Sequence, residues 1–268
     1  MPCSRPSSSM CSSATTRQAT KNLPTNISSP QPLPNPTQNN HRLPAFAATM
    51  KLRHLESALS QVNGFGEPKW GLEQYLTPPH LAARVLQCAA SFDDLDGCAV
   101  ADLGCGTGML LVGAVLMGCD EALSVGVDAD PDALAIAQTN LDGMDVECAL
   151  LRADVVAEAG LPFRSSRGGS NVFDTVLMNP PFGTKNQGVD MLFVKRGLAV
   201  APVVYSLHKT STREFLVGRG AAGCGPDVAV EVVATMRFDL PATYKFHKQK
   251  SVDIEVDLLR FSRGDEQH

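Results

Sequence analysis

Four consecutive residues, Asn179, Pro180, Pro181 and Phe182, form the motif with the most specific chemistry in the sequence. Proline lacks a backbone N–H, fixes its own φ and restricts the residue before it, so this segment should form a stiff corner. The Asn179 side-chain oxygen and the Pro180 carbonyl are acceptors that match the two N–H bonds of an exocyclic amine. Phe182 could stack on the ring that carries this amine. We interpret the segment as a catalytic loop for amine methylation, with a proline turn that merely closes a strand as the alternative.

A glycine-rich turn lies upstream, after an apolar run that ends near Asp102. It places glycine at every second position, Gly104, Gly106 and Gly108, so the backbone can bend and approach a ligand without a Cβ in the way. The spacing differs from the Gly-x-Gly-x-x-Gly pattern of dinucleotide sites and favours S-adenosylmethionine. Asp128 ends the next apolar run, where a carboxylate could accept both ribose hydroxyls.

Asp154 follows the third apolar run, where its carboxylate could bind an adenine amino group. For Asp128 and Asp154 the alternative is that each caps the helix that follows it. We favour cofactor binding for both, because ligands of open α/β sheets lie beyond the carboxyl ends of the strands.

The elements that must position these residues alternate along the chain. Predicted strands are residues 99–103, 123–127, 146–151, 173–178 and 203–207, and predicted helices are residues 109–117, 131–140, 189–199 and 211–217. Strand and helix in alternation, with continuously apolar strands, predict a parallel sheet covered on both faces. Two further runs, 228–238 and 251–261, have no helix between them and predict an antiparallel terminal pair. The arrangement resembles the class I S-adenosylmethionine-dependent methyltransferase fold (Rossmann-like), an α/β fold with a mostly parallel seven-stranded sheet and an antiparallel last strand.

The chain divides into two parts by composition. Residues 1–49 are rich in Ser, Pro and Thr and contain no acidic residue, so we predict a disordered extension, with an organelle transit peptide as the alternative. Residues 50–268 should form one methyltransferase domain that begins with two helices, over residues 51–62 and from Thr77, whose side chain could cap the second helix.

Charge and cysteine spacing limit the function classes. Because the net charge is −5, binding to RNA would need a local basic patch or a partner protein. Candidate basic residues are Lys185, His208, Lys209, Arg213 and the cluster in residues 245–250. The cysteines form no Cys-x-x-Cys pair, so we expect no zinc site in this chain, and their scatter is typical of a reducing compartment. The sequence contains no apolar run of the length of a membrane span, so no membrane association is expected.

Over about residues 50–262 the chain resembles the methyltransferase-like protein 5 family, in the segments Leu72–Thr77, Val100–Gly106, Met178–Asn186, Tyr205–Lys209 and Asp239–Asp257. That family makes N6-methyladenosine in small-subunit (18S) ribosomal RNA. The resemblance implies Asn179 to Phe182 as the catalytic loop, and it implies S-adenosylmethionine contacts from Gln74, Thr77, Gly104, Thr107, Asp128, Asp154 and Val155. It further implies a heterodimer with a small zinc-binding methyltransferase activator protein, and action in the nucleus and cytoplasm. The chain departs from the family at Thr107 and in the glycine-rich segment Gly218–Gly225.

Other functions remain open at this point. The same corner would accept the carboxamide of a protein glutamine, for N5 methylation, or a DNA adenine. A non-catalytic RNA-binding or scaffold protein is a third possibility, and the glycine spacing argues against a dinucleotide oxidoreductase.

Overall fold

The computed structural model describes residues 50–163, 171–220, 222–241 and 251–264. The extension of residues 1–49 and the basic cluster of residues 245–250 lie outside these ranges. Among the helices of the described ranges, none has the length and apolar character needed to cross a bilayer.

Seven strands of the described chain form one sheet with the order β3-β2-β1-β4-β5-β7-β6. The strands are β1 Val100–Leu103, β2 Val125–Asp128, β3 Ala149–Arg152, β4 Thr175–Met178, β5 Val203–Lys209, β6 Val228–Pro241 and β7 Ser251–Arg263. Strands β1 to β5 pair in parallel, whereas β7 pairs antiparallel with both β5 and β6. The predicted fold class is therefore confirmed, including the antiparallel last strand.

Helices cover both faces of the sheet. They are α1 Leu52–Leu59, α2 Pro79–Ser91, α3 Met109–Leu116, α4 Pro131–Gly143, α5 Val189–Leu198 and α6 Arg213–Phe215. On β5, Tyr205 and Leu207 belong to a core shared with α1, α2 and α3, whereas Val204 belongs to a second core shared with α5. Since successive strand residues point to opposite faces, burial on both sides explains why the strands are continuously apolar.

The topological switch point of the sheet, where the strand order changes direction, lies between β1 and β4. These strands are neighbours, with Asp102 opposite Leu177, while the chain continues from β1 to β2 on one side and from β4 to β5 on the other. At such a switch point the loops that follow the two strands diverge and leave a crevice at the carboxyl ends. The glycine turn after β1 and the Asn179 corner after β4 therefore begin side by side.

The predicted helix over residues 211–217 is wrong as a single α-helix. The structure has a 3₁₀ turn at Thr210–Thr212, one short α-helical turn, α6, and then a π-helical turn at Leu216–Gly220. Glycine is a poor helix former, and the π-helical turn contains Gly218 and Gly220. Short 3₁₀ and π turns are typical of segments in which regular α-helical hydrogen bonding is interrupted.

Gly113 provides a test of how tightly α3 packs against α1 and α2. A Cβ at this position would overlap Leu86 Cδ1 and lie 3.3 Å from Leu59 Cδ2. Exchange of a helical glycine for alanine contributes about 1 kcal/mol to stability, but overpacking a core costs about 1–3 kcal/mol. We expect Gly113→Ala to lower the free energy of unfolding by roughly 1 kcal/mol in denaturant titrations.

The matched control for this substitution is Gly143→Ala, at the end of α4, where a Cβ would meet no atom within 4 Å. It should leave stability unchanged or raise it slightly. A Gly113→Ala protein at least as stable as the wild type would contradict the tight packing of α3.

Candidate active site

A main cavity of about 270 Å³ opens at the carboxyl ends of β1, β2 and β4. An adjoining inner cavity of about 30 Å³ shares Gly104, Gly106 and Asn179 with it. The predicted cofactor residues all line one or both cavities: Gln74, Gly104, Asp128, Asp154 and Val155 line the main cavity, and Thr77, Gly104 and Thr107 line the inner one. The structure thus brings together cofactor residues from four separate segments of the sequence, and Asn179 from a fifth.

The Asn-Pro-Pro-Phe corner contributes unequally to these cavities. Asn179 lines both, and Pro181 lines the main cavity. Pro180 is buried, and neither it nor Phe182 is among the lining residues. The Phe182 ring instead packs edge-on against Phe238 of β6, with 6.2 Å between the ring centroids. Stacking of Phe182 on a substrate base would therefore require a movement of this ring.

The glycine turn after β1 has left-handed backbone and is closely packed. Gly104 and Gly106 have φ values of 74° and 53°, in the left-handed region that favours glycine. A Cβ on Gly106 would lie 2.8 Å from Phe65 Cζ, and one on Gly104 would lie 3.1 Å from Phe193 Cε1. The turn thus brings bare backbone to the cavity wall. Phe65 and Phe193 line the main cavity but carry no local sequence signal that could have identified them.

Asp128 is held by the backbone rather than acting as a helix cap. Its Oδ2 accepts from the Gly106 N–H at 2.9 Å, and its Oδ1 accepts from the Asp130 N–H at 2.8 Å. Burial raises the pKa of the Asp128 carboxyl, and these two N–H donors counteract the rise. The cap of α4 is Asp130, which accepts from the Asp132 N–H. Each Asp128 oxygen retains a lone pair that could accept from a ribose hydroxyl.

Asp154 lies just beyond the end of β3 and is exposed. Its Oδ1 accepts from the Val156 N–H at 3.0 Å. The neighbouring Val155 is buried and forms an apolar part of the cavity wall. A carboxylate beside an apolar surface is chemically suited to an adenine ring with its amino group.

Gln74, which lines the main cavity, is hydrogen-bonded on both sides of its amide. Its Nε2 donates to Asp130 Oδ2 at 2.8 Å, and its Oε1 accepts from the Lys69 N–H at 2.7 Å. Lys69 Nζ also donates to Asp130 Oδ1 at 2.5 Å. Burial opposes ionisation of Asp130, but the hydrogen bonds from Lys69 and Gln74 prevail and lower its pKa. The residues before α2 are thereby fixed to the start of α4.

The orientation of the Asn179 amide is set by a residue that precedes α2. Asn179 Nδ2 donates to Thr77 Oγ1 at 2.9 Å. The predicted capping of α2 by Thr77 is wrong, because the N-cap is Pro78 and no side chain caps this helix. The Thr77 hydroxyl is directed to Asn179 instead. Within the part of the chain that the structure describes, Asn179 Oδ1 has no hydrogen-bond partner.

The predicted basic residues near the cavity have different environments. His208 is buried and its Nδ1 lies 3.3 Å from Asp190 Oδ2, so its proposed availability to a phosphate is wrong. Arg213 binds Asp257 through two nitrogens. Lys185 lies against the Trp70 ring, and Lys209 Nζ is 5.7 Å from the centre of the Phe182 ring.

Two buried polar atoms that line the inner cavity lack a hydrogen-bond partner among the described residues. Asp102 Oδ2 accepts from the Leu111 N–H at 3.1 Å, but its Oδ1 and Thr107 Oγ1 have no hydrogen-bond partner among the described residues. Burial raises the pKa of Asp102 to about 8, and nearby Asp128 adds to this rise. Unpaired buried polar atoms are costly, so they indicate a polar ligand group. Polar groups of a ligand such as S-adenosylmethionine could supply the missing partners of these atoms.

The raised pKa of Asp102 has a consequence for stability. Between its ordinary value of 3.8 and about 8, the folded protein keeps a proton that the unfolded chain has lost. The free energy of unfolding therefore falls as the pH rises through this range. We expect Asp102→Asn, which cannot ionise, to gain stability relative to the wild type between pH 5 and pH 8 in denaturant unfolding.

The control for this pH dependence is Asp142→Asn, an exposed carboxylate on α4. Its effect on the free energy of unfolding should be the same at both pH values. An Asp102→Asn effect that does not change with pH would show that Asp102 is ionised in the folded protein.

Comparisons with known proteins agree with this geometry. Residues 84–203 match the family model of the methyltransferase small domain. The chain is 50% identical over 216 residues to the rRNA N(6)-adenosine-methyltransferase METTL5 of Danio rerio, covering 80% of this chain and 99% of that protein. It is 47% identical over 229 residues to the rRNA N(6)-adenosine-methyltransferase Mettl5 of Drosophila melanogaster, covering 82% and 100%.

The fold agrees with a solved structure as well. A Pyrococcus horikoshii protein described as a candidate RNA methyltransferase superposes with a TM-score of 0.68 and 32% identity, covering 82% of this chain and all of that one. The domain is thus a methyltransferase domain, and its cofactor is S-adenosylmethionine. Because it is 50% identical over 216 residues to a relative that it covers almost completely, the chain belongs to the family of rRNA N(6)-adenosine-methyltransferases.

Proposed function

We propose that this protein transfers a methyl group from S-adenosylmethionine to the N6 amine of an adenosine in small-subunit (18S) ribosomal RNA. The proposal rests on the position of the Asn179 amide, which lines both cavities. Its Nδ2 donates to Thr77, and its Oδ1 has no hydrogen-bond partner among the described residues. Similarity over at least 80% of this chain, and almost the whole length of each relative, to proteins named for adenosine N6 methylation of rRNA supports the substrate class.

The corner after β4 is suited to hold an amine for attack. Asn179 Oδ1 accepts one N–H of the amine, and the Pro180 carbonyl is the candidate acceptor for the second. These acceptors draw the nitrogen toward pyramidal geometry and free its lone pair, while the stiff Pro-Pro backbone keeps both oxygens in place. Bound S-adenosylmethionine supplies an electrophilic methyl group. No strong general base is needed, because the methylated amine loses its extra proton easily to water.

The rim of the main cavity offers a surface for single-stranded RNA. A duplex hides the adenine N6, so the target base must be unpaired or flipped out. Trp70 and Leu72, in the turn beside the cavity, have 52% and 43% of their surface exposed. The part of the indole that Lys185 leaves uncovered could stack on a base, and Lys209, beside the Phe182 ring, could attract a phosphate. This surface supports a base-stacking contact with RNA despite the net charge of −5.

We also propose that the protein acts as a heterodimer with a small zinc-binding methyltransferase activator protein, in the nucleus and cytoplasm. The family resemblance is the main support for both statements. Large apolar side chains remain exposed in the described part of the chain, for example Leu123, Leu192 and Phe215. A partner would stabilise the protein by removing such surface from water.

The proposed reaction can be tested with radiolabelled methyl transfer to purified small-subunit rRNA, with and without the activator, followed by nucleoside analysis. We expect label in N6-methyladenosine with the wild type. Asn179→Ala should reduce the rate by roughly 100-fold or more, because the amine loses an acceptor that positions it. Cofactor affinity should be unchanged. Gln138→Ala, which removes an exposed amide on α4, should retain full activity.

Parallel reactions with large-subunit rRNA, DNA and a glutamine-containing release factor separate the alternatives. Label in one of these, with none in small-subunit rRNA, would reassign the substrate. Full activity of Asn179→Ala on any of them would refute the amine-capture mechanism.

The role of Asp128 can be measured by calorimetric titration with S-adenosylmethionine. We expect Asp128→Ala to weaken binding by about 2 kcal/mol, roughly 30-fold, which is the scale of lost hydrogen bonds to a charged group. Asp128→Asn keeps one acceptor for the Gly106 N–H and should lie between the two. The exposed Asp142→Ala on α4 serves as the control, and equal affinity of Asp128→Ala and wild type would exclude the ribose contact.

A further inference from the structure

In the structure one hydrogen bond joins the donor end of the Asn179 amide to Thr77 and leaves the acceptor end towards the substrate. Thr77 and Asn179 lie 102 residues apart in the chain, and their side chains meet at 2.9 Å. The Nδ2 group of an amide can only donate and Oδ1 can only accept. Since the Thr77 hydroxyl accepts from Nδ2, Oδ1 is left for the incoming amine. The reversed amide would present N–H donors to the N–H groups of the amine, which repel one another.

The Thr77 hydroxyl is itself held firmly. Thr77 is buried, with 7% of its surface exposed, and it precedes two prolines, Pro78 and Pro79. A residue before proline is confined to extended backbone, so Thr77 has little conformational freedom. The same segment is tied to the catalytic loop a second time, because Glu73 Oε1 accepts from the Lys185 N–H at 2.8 Å. Thr77 does not cap α2, so its hydroxyl has no competing structural duty there.

We propose that Thr77 is a positioning residue for methyl transfer, which acts by locking the Asn179 amide in the orientation that accepts the amine. This inference rests on the proposed function, because it assigns to Thr77 a part in the capture of the same amine. It adds to the cofactor contact that the family resemblance implies for Thr77.

The two roles are compatible because they use different parts of one hydroxyl. A threonine hydroxyl has one hydrogen to donate and lone pairs that accept. The lone pair serves Asn179, whereas the hydrogen can point into the inner cavity, which Thr77 lines together with Asp102. An acceptor group of the cofactor in that cavity would take this hydrogen and strengthen the bond to Asn179. With its hydrogen engaged in this way, the hydroxyl can no longer donate to the oxygen of a reversed amide, so the amide is locked. Cofactor binding and amide orientation are thereby linked through a single oxygen atom.

The test compares Thr77→Val, which keeps the shape and removes the hydroxyl, with Thr77→Ser, which keeps the hydroxyl. At saturating S-adenosylmethionine and rRNA, Thr77→Val should lower kcat roughly 10- to 100-fold, because the amine acceptor is mispositioned. Thr77→Ser should retain most of the rate. Thr139→Val, which removes an exposed hydroxyl on α4, should behave as the wild type.

A second readout needs neither cofactor nor activity. The side-chain Nδ2 protons of Asn179, assigned by their absence in Asn179→Ala, are followed by ¹⁵N nuclear magnetic resonance. Their exchange with water should be slow in the wild type and in Thr77→Ser, and fast in Thr77→Val. If Thr77→Val does not fold, Thr77→Ala is measured in the same way, since it removes the hydroxyl without placing a methyl group against Asn179 Nδ2.

The outcomes separate the two proposals. A Thr77→Val loss that appears only in cofactor affinity, with kcat intact, would overturn the positioning role and leave a plain cofactor contact. Unchanged exchange of the Asn179 protons would overturn the hydrogen bond itself. Absence of RNA methylation by the wild type would instead refute the proposed function, while the proton exchange still reports whether Thr77 locks the amide.

Discussion

The pairing of β1 with β4 at the centre of the sheet is the constraint on which the site depends. Parallel registry places Asp102 opposite Leu177, so the two strands end at the same level and their following loops share one crevice. The glycine turn and the Asn179 corner, more than seventy residues apart in sequence, become neighbours only through this pairing. Hydrophobic cores on both faces hold the pair rigidly, which fixes the distance between the cofactor wall and the amine acceptor.

The segment between α1 and α2 completes the site from outside the sheet, and its anchors differ in strength. The pair of Lys69 with Asp132 is exposed and contributes little, since water screens it. The buried carboxylate of Asp130 is more consequential, because it is satisfied by Lys69, by Gln74 and by the Asp132 N–H. Loss of one of these donors would leave a buried charge underpaired, at a cost of about 1–3 kcal/mol. Polar contacts to the start of α4 and to the catalytic loop therefore hold this wall in place.

Sequence patterns predicted the parts of the structure that local chemistry determines. Apolar runs located β1 and β4, and the left-handed glycines follow from the alternating glycine spacing. The predictions failed where distant contacts decide the outcome. Thr77 has the type and position of a cap, yet the approach of Asn179 gives its hydroxyl a better partner. The sequence makes His208 a candidate RNA contact, but its position on the interior strand β5 buries it against Asp190. Contacts between residues that are distant in the sequence cannot be read from a short sequence pattern.

Ionising the acidic side chains that line the cavities costs free energy, because they are desolvated, and a cationic ligand can offset this cost. Asp102 is buried and Asp128 is partly buried, and desolvation raises the pKa of each, so the carboxyl groups of the folded protein without ligand resist ionisation. A ligand that carries an ammonium and a sulfonium charge would favour the ionised forms and regain part of that cost. Methyl transfer neutralises the sulfonium, so the attraction between ligand and carboxylates falls once the reaction has occurred. Carboxylates at these two positions would thus attract the product form of the cofactor less strongly than the sulfonium form, which would favour exchange for the next turnover.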